Sequence, residues 1–346
     1  MGKKGFLLKK IGAQTCEFLH PPVITATAAV AGKKEGEGPL GRWMDVIDPT
    51  DKMNEESWEK AESAMAQKAI SVLLEKAGRK AEDVDYLLGG DLLNQCSATV
   101  FGTASFSIPF FGLFSACSTF GEALSLGAML LDGGFGKRVI CCAGSHFCAA
   151  EKQFRFPLGM GTQRPPSATW TVTGNGAAFL EAEGEGPKIT HVTTGKIVDY
   201  GITDSANMGA AMAPAAADVI LAHFRETGRT FDDYTWVATG DLGIVGKQLL
   251  CKLLEEGGMK PGEHLTDCGL ELFDNATQDT HAGGSGCACA AITYCGYFHQ
   301  KLAKGRGRLL LVPTGALMNT TTSQQGLTIP GIAHAICIEG VKPWSM

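Results

Sequence analysis

Three landmarks occur twice in this chain, in the same order and at nearly constant separation. Tyr86-Leu87-Leu88-Gly89-Gly90-Asp91-Leu92 is echoed by Tyr234-Thr235-Trp236-Val237-Ala238-Thr239-Gly240-Asp241-Leu242, with Asp91 and Asp241 150 residues apart. Ser115-Ala116-Cys117 is echoed 170 residues on by Ser285-Gly286-Cys287, and Gly134-Phe135-Gly136-Lys137-Arg138-Val139 about 171 residues on by Gly305-Arg306-Gly307-Arg308-Leu309. Repetition at a fixed offset is the mark of a duplicated unit. The 346 residues accordingly divide into two homologous halves, expected at 1–184 and 185–346, with the boundary at the Gly- and Glu-rich turn Glu183–Gly186. A duplicated chain of this kind tends to place its site where the halves meet.

Each half reads as strand, helix, strand. Trp58, Ala61, Met65, Ala69 and Leu73-Leu74 recur at helical spacing and predict a helix from Asn54 to Ala77. Val84–Leu88 is the following strand. The apolar run Phe110–Phe114 leads into Ser115-Ala116-Cys117-Ser118-Thr119 and a helix over Gly121–Leu131, so Cys117 falls at a strand-to-helix corner. Lys137–Cys142 is the next strand, closing on Ala143-Gly144-Ser145-His146. This alternation predicts an α/β fold around a buried parallel or mixed sheet.

Composition narrows the function classes. Hydrophobic residues make up 45% and charged residues 19%, which suits a large core and excludes a disordered or coiled-coil chain. Glycine is high at 45 residues, but it has no triplet period and proline is only 14, which excludes collagen. A net charge of −6, without a basic stripe interleaved with aromatics, gives no footprint for nucleic acid. The twelve cysteines contain no CxxC pair, so no metal site is expected. Met1–Gly12 mixes four lysines into its apolar residues and lacks the core of a secretory signal. Phe6 stands where a myristoylation motif has Ser or Thr. Reduced, mostly buried thiols in the cytoplasm are expected. No apolar run reaches the ~18 residues that span a bilayer, so any membrane contact is expected to be peripheral.

A cysteine at a helix start gains from unpaired N–H groups and the positive end of the dipole, which lower its pKa and favour an anion beside it. Cys117 has that position; the alternative is a space-filling thiol beside a glycine-rich helix start. Asp91 and Asp241 end equivalent strands, as helix N-caps or as ligand or cation contacts. His146 either faces a cleft or is held structurally by hydrogen bonds. His281 and His334 could look into the site, although neither has a partner visible in sequence. Lys152–Pro157, with Arg155 and the later Arg164, could bring guanidinium groups to a carboxylate, or form a solvated loop. Thr173–Ala178 and Gly283–Gly286 complete neither GxGxxG nor the P-loop pattern, and close packing or a bulge explains their glycines.

The duplicated halves, the corner cysteine in Ser115–Thr119 and the late glycine run Gly283–Ala288 resemble the thiolase superfamily, which includes the ketoacyl synthases. Longer strings are similar to a sporulation branch of that superfamily: Gly38–Gly41, Gly90–Gln95, Asp132–Phe135, Gln153–Pro157, Gly201–Ser205, Met212–Asp218 and Ala282–Cys289. The resemblance implies a five-layered αβαβα fold, usually dimeric, and a part in moving dipicolinic acid, with calcium, into the developing spore. It also implies partners in a spore dipicolinate uptake complex, and a cytoplasmic location or one peripheral to the spore inner membrane.

Condensing enzymes of that superfamily pair the cysteine with a His and an Asn, or with two His. Matched position by position, Gly240 stands where a ketoacyl-synthase-like motif has its His and Gly284 where it has its Asn, so efficient condensation is not expected. The two glycines are expected to leave room for a small anion. The resemblance then suggests a dipicolinate-like dicarboxylate near Cys117, bound by the N–H groups of Cys117, Ser118 and Thr119 and by His146 or Asn94. Asp91 would repel a bare dianion, and so faces away as an N-cap or contacts the Ca²⁺ of a calcium chelate. Two other readings stay open: an acyltransferase that takes Cys117 as acyl acceptor and a base from His281, His146 or His334, and a ligand-free scaffold of a membrane transport complex.

Overall fold

The structure is a computed structural model that describes residues 9–154, 163–305 and 307–342. The lysine-rich start as far as Leu8, Arg155-Phe156-Pro157 and Arg306 lie outside the described residues. The first half supplies β1 (Val23–Ala31), β2 (Tyr86–Gly90), β3 (Phe110–Gly112), β4 (Arg138–Ser145), β5 (Trp170–Thr171) and β6 (Gly174–Glu181). The second supplies β7 (Lys188–Thr193), β8 (Trp236–Thr239), β9 (Leu265–Asp267), β10 (Gly284–Ser285), β11 (Arg308–Val312) and β12 (Ala335–Glu339).

Along the main sheet the order is β9-β8-β11-β12-β7-β1-β6-β4-β2-β3. Outward from the middle, the first half runs β1-β6-β4-β2-β3 and the second β7-β12-β11-β8-β9, the same relative order in each. Parallel pairs flank β2 and β8, while β4 with β6 and β11 with β12 are antiparallel. β1 and β7 are joined through a single residue pair, Val23 with Lys188.

The principal helices are α1 (Trp58–Ala77), α2 (Thr119–Asp132), α3 (Phe147–Phe154), α4 (Met208–Thr227), α5 (Gly243–Glu256) and α6 (Cys287–Thr293). The expected start of α1 at Asn54 is corrected to Trp58. Ser57 is the N-cap, accepting from the Lys60 N–H, and Gly78 ends the helix at φ +60. The run Ile332–Ile336 is broken at His334 into Gly331–Ala333 and β12.

Three apolar clusters define the layers. Met65, Ala69, Ile70 and Leu73 of α1 cover Val30, Leu87, Ile140 and Phe179 on one outer face of the first-half strands. α2 and α6 lie centrally, with Phe120, Leu124, Ala288 and Ile292 between Val139 and Leu180 of one half and Leu309, Leu311 and Ile336 of the other. α4 and α5 cover the outer face of the second half through Met212, Ile220, Leu250 and Leu254 on Val237, Leu310 and Val312. The sequence of layers is therefore αβαβα. Gly176 of β6 shows why this centre needs glycine, because a Cβ there would stand 2.4 Å from the Ala291 carbonyl carbon of α6. All twelve cysteines are free and eight are buried. Among the described residues no helix is long and apolar enough to cross a membrane, and no group of three or more His, Cys, Asp or Glu could hold a metal ion.

Candidate functional site

β2 and β8 are equivalent strands, and the aspartates that follow them have different work. Asp91 is buried and accepts from the Leu93 N–H at 2.8 Å and from the Thr99 N–H and hydroxyl, both at 2.7 Å. It fixes the turn into the next helix and does not line the cavity described below, which corrects its expected place as a ligand contact. Asp241 reaches across the layers instead. It accepts from the Ser285 hydroxyl at 2.9 Å, the Gly286 N–H at 3.1 Å and the Thr314 hydroxyl at 2.6 Å. Asp241 has this freedom because Asp267, at the end of β9, accepts from Leu242 N–H and Gly243 N–H at the start of α5.

The thiol of Cys117 lies 3.9 Å from the Ser285 hydroxyl. Since that hydroxyl donates to Asp241, it is open to accept from the S–H, which also has the Asp241 carboxylate within reach. Burial lifts the Cys117 thiol well above its ordinary value, and the neighbouring Asp241 charge lifts it further. Burial also brings Asp241 up to about 6, against hydrogen bonds from Thr314, Cys117 and Ser285 that favour its charged form. The helix-start position thus fails to lower the Cys117 pKa as expected. The Ser118 N–H already donates to Ser115 O and the Thr119 N–H to Ala116 O, while both side-chain hydroxyls are turned inward to the same carbonyls. Ser118 and Thr119 therefore do not cradle an anion, a second correction.

The other expected site residues separate from Cys117. His146 is buried against Trp58; its Nδ1 accepts from the Cys148 N–H, so its Nε2–H donates to Asp51 O at 2.7 Å. Burial holds it neutral. Asn94 is exposed, and its backbone N–H donates to Gln153. His334 accepts from the Gly195 N–H and turns Nε2 toward the Ser115 hydroxyl at 3.5 Å; burial lowers it to about 4. His281 points its Nδ1 at Pro165 O, 2.9 Å away. Among the described residues no imidazole bonds to Cys117.

Gly240 and Gly284 leave no vacancy. A Cβ on Gly240 would stand 2.9 Å from Pro313 Cα and 3.0 Å from Thr314 N, and one on Gly284 would stand 2.9 Å from Phe273 Cε2. Backbone and aromatic packing occupy the space a catalytic His or Asn would need, so the expectation that these glycines open room for an anion is overturned.

The room lies elsewhere. A cavity of about 370 Å³ opens beside Cys117, Ser285 and Gly286. Its polar wall includes Arg164, Gln163, Thr169, Thr171, Glu151 and Ser205; its apolar wall includes Leu92, Phe114, Phe154, Met208, Met212 and Met318. Of the two guanidinium groups expected near a carboxylate, Arg164 reaches this cavity and Arg155 lies outside the described residues. The positions that sequence reasoning missed, Asp241 as a partner of the thiol, Ser285, Thr314 and the three methionines, carry little local signal. The one pointer was the repeat, which set Asp241 and Ser285 opposite Asp91 and Ser115.

A cysteine on a β-to-α corner at the centre of a duplicated αβαβα sandwich defines a protein of the thiolase-like class. Solved structures agree over nearly the whole chain. 3-Oxoacyl-[acyl-carrier-protein] synthase III from Aquifex aeolicus VF5 superposes with a TM-score of 0.57 at 14% identity, covering 92% of this chain and 99% of its own. Cerulenin-bound OleA from Xanthomonas campestri gives 0.58 at 13% identity, covering 95% and 100%, and the tetronic acid condensing enzyme AbyA1 gives 0.58 at 19%, covering 92% and 100%. At these identities the likeness is one of fold. Within that class the sequence is specific: the stage V sporulation protein AD family matches residues 12–339, and stage V sporulation protein AD of Bacillus subtilis (strain 168) is 42% identical over 333 residues, covering 96% of this chain and 98% of its own. The chain belongs to the stage V sporulation protein AD family.

Proposed function

We propose that this chain is a binding protein rather than a condensing enzyme, and that its cavity takes dipicolinic acid, as its calcium chelate, for uptake into the developing spore. The observation that carries the reading is that Arg164 and a protonated Cys117 thiol share one cavity with no imidazole among the described residues bonded to the thiol. A thiolate forms only if a neighbour takes the proton. The nearest acceptor, Asp241 at about 6, is a far weaker base than a thiolate whose thiol is held above 9.0. A guanidinium fork, by contrast, suits a carboxylate. Calcium cancels the charge of the dianion, so the chelate meets Glu151 in the wall, and Asp241 buried behind Ser285, without net repulsion.

A further feature fits the same reading. β3 is the last strand of the sheet path, with Phe110 and Phe111 exposed on it and Phe114, also exposed, both beyond its end and in the cavity wall. A second copy pairing along this edge makes a homodimer. In this reading the chain works at the membrane through protein partners of the uptake complex.

The test is calorimetric titration with dipicolinate, with and without calcium, on the parent, Cys117→Ala, Arg164→Ala and Asp91→Ala, alongside intact-mass measurement after incubation with acyl-CoA donors. Arg164→Ala weakens binding about tenfold or more, as expected when a charge-assisted bond is removed, while the folded fraction of Asp91→Ala binds as the parent does. A parent that binds no dipicolinate sinks the reading. An acyl adduct on Cys117 would replace it with the acyltransferase.

A further inference from the structure

Trp170 does not line the cavity, yet it holds a residue that does. Its indole is stacked on Phe147, with ring centres 3.7 Å apart and planes 4° from parallel. The Arg164 guanidinium lies over the same indole, its Cζ 4.8 Å from the ring centre. Lys34 brings its Nζ within 4.2 Å of that ring centre and donates to Gln278 O. Arg164 donates to Asp279 O at 3.0 Å. Two cations thus share one aromatic platform, each tied back by a main-chain carbonyl of the same loop.

The platform is rigid relative to the thiol. β5 and β10 pair in parallel, Trp170 opposite Gly284 and Thr171 opposite Ser285. Trp170 N–H donates to Gly283 O and Val172 N–H to Ser285 O, both at 2.8 Å. Ser285 in turn bonds Asp241 and neighbours Cys117. One short ladder therefore fixes the separation between the guanidinium end of the cavity and its thiol end.

We propose that Trp170, braced by Phe147, is a positioning residue: it holds the plane of Arg164 for a ligand carboxylate, and the β5–β10 ladder sets how far that carboxylate lies from the Cys117 end of the cavity. The inference rests on the reading that the cavity takes such an anion. Arginine pays for a bidentate contact in rotamer freedom, and a flat aromatic face removes that cost in advance. A side chain that fills space without a ring face leaves the charge in place and loses its orientation.

The experiment compares dipicolinate with pyridine-2-carboxylate, which lacks the second carboxylate, each with and without calcium, by calorimetry on the parent, Arg164→Ala, Trp170→Leu and Trp170→Phe, with a thermal melt of each. Trp170→Leu weakens dipicolinate about tenfold, approaching Arg164→Ala; Trp170→Phe, which keeps a ring face, stays within about threefold of the parent. Ligand binding also changes the tryptophan emission of the parent, and Trp170→Phe abolishes that change. Trp170→Leu binding like the parent, or Trp170→Leu and Trp170→Phe losing affinity equally, overturns the positioning role while the binding function stands. A parent that binds no dipicolinate overturns both.

Discussion

The Ser285 hydroxyl donates to the Asp241 carboxylate at 2.9 Å from a position 3.9 Å from the Cys117 sulfur, so the thiol faces a chain of groups that ends in a buried negative charge. In a condensing enzyme the group beside the cysteine helps the thiol lose its proton. Here it helps the thiol keep it.

That relationship gives the first prediction. Asp241 is ionised at pH 8, above its value of about 6, and its charge raises the Cys117 thiol. Asp241→Asn removes the charge and retains an acceptor, so the thiol pKa falls and alkylation by iodoacetamide at pH 8 quickens severalfold. Mass spectrometry of the Cys117 peptide against time measures it. A rate equal to the parent's would show that Asp241 does not govern the thiol.

Restoring the side chains of a condensing enzyme is expected to unfold the protein before it restores activity. A Cβ at Gly240 meets main-chain atoms of Pro313 and Thr314, which cannot move aside as a flexible side chain could. Gly240→Ala should cost about 1–3 kcal/mol in denaturant unfolding, and Gly240→His more. A Gly240→His variant as stable as the parent, with condensing activity on acyl thioesters, contradicts this account.

How far such a site could be read from sequence depended on whether the information was periodic or relational. The helical spacing of Met65, Ala69 and Leu73 and the repeat that aligned Asp91 with Asp241 report the backbone directly, and the strand order of the two halves agrees with that repeat. The site itself is relational. Asp91 and Asp241 look alike in sequence, and they differ because Thr99 stands beside one while Ser285 and Thr314 arrive beside the other from distant strands. His146 looked available beside a glycine-rich corner, yet Asp51 O and the Cys148 N–H occupy both ring nitrogens. Glycine as an indicator of empty space failed for a physical reason: at Gly240 and Gly284 its missing side chain is already replaced by close packing.

Two buried carboxyl groups away from the cavity contribute to the response to pH. Glu62 is buried on α1 with neither oxygen hydrogen-bonded among the described residues, and burial lifts it well above the usual carboxylate range. Glu35 accepts from the Thr173 N–H, and burial lifts it from 4.5 to about 8. A carboxyl with a raised pKa binds its proton more tightly in the folded state than in the unfolded one. Folding stability therefore falls as pH rises from about 4.5 to about 8 through Glu35, by up to about 1.4 kcal/mol per pH unit, and levels off above. Glu35→Gln keeps the acceptor for Thr173 and cannot ionise. It should match the parent near pH 4.5 and exceed it at pH 8.5 in urea unfolding. Parallel curves for the two proteins across this range would place the proton elsewhere.

At the edge of β3 the proposed assembly and the cavity meet. β3 pairs with β2 along one side, and Phe110 and Phe111 stand 37% and 48% exposed on it. A free edge with exposed aromatic residues invites a second strand, and a lysine placed there blocks one. Sedimentation of the parent should then report twice the 36.4 kDa of one chain, and Phe111→Lys a single chain with its far-ultraviolet spectrum retained. Phe114 follows two residues after β3 and lines the cavity, so a second copy on this edge, as proposed, would also close one wall of the cavity. The monomeric variant should consequently bind dipicolinate more weakly, by about threefold to tenfold, because one large apolar side chain of that wall is then left facing water. Equal masses for the two proteins would remove the dimer, and equal affinities in proteins of different mass would detach assembly from the cavity.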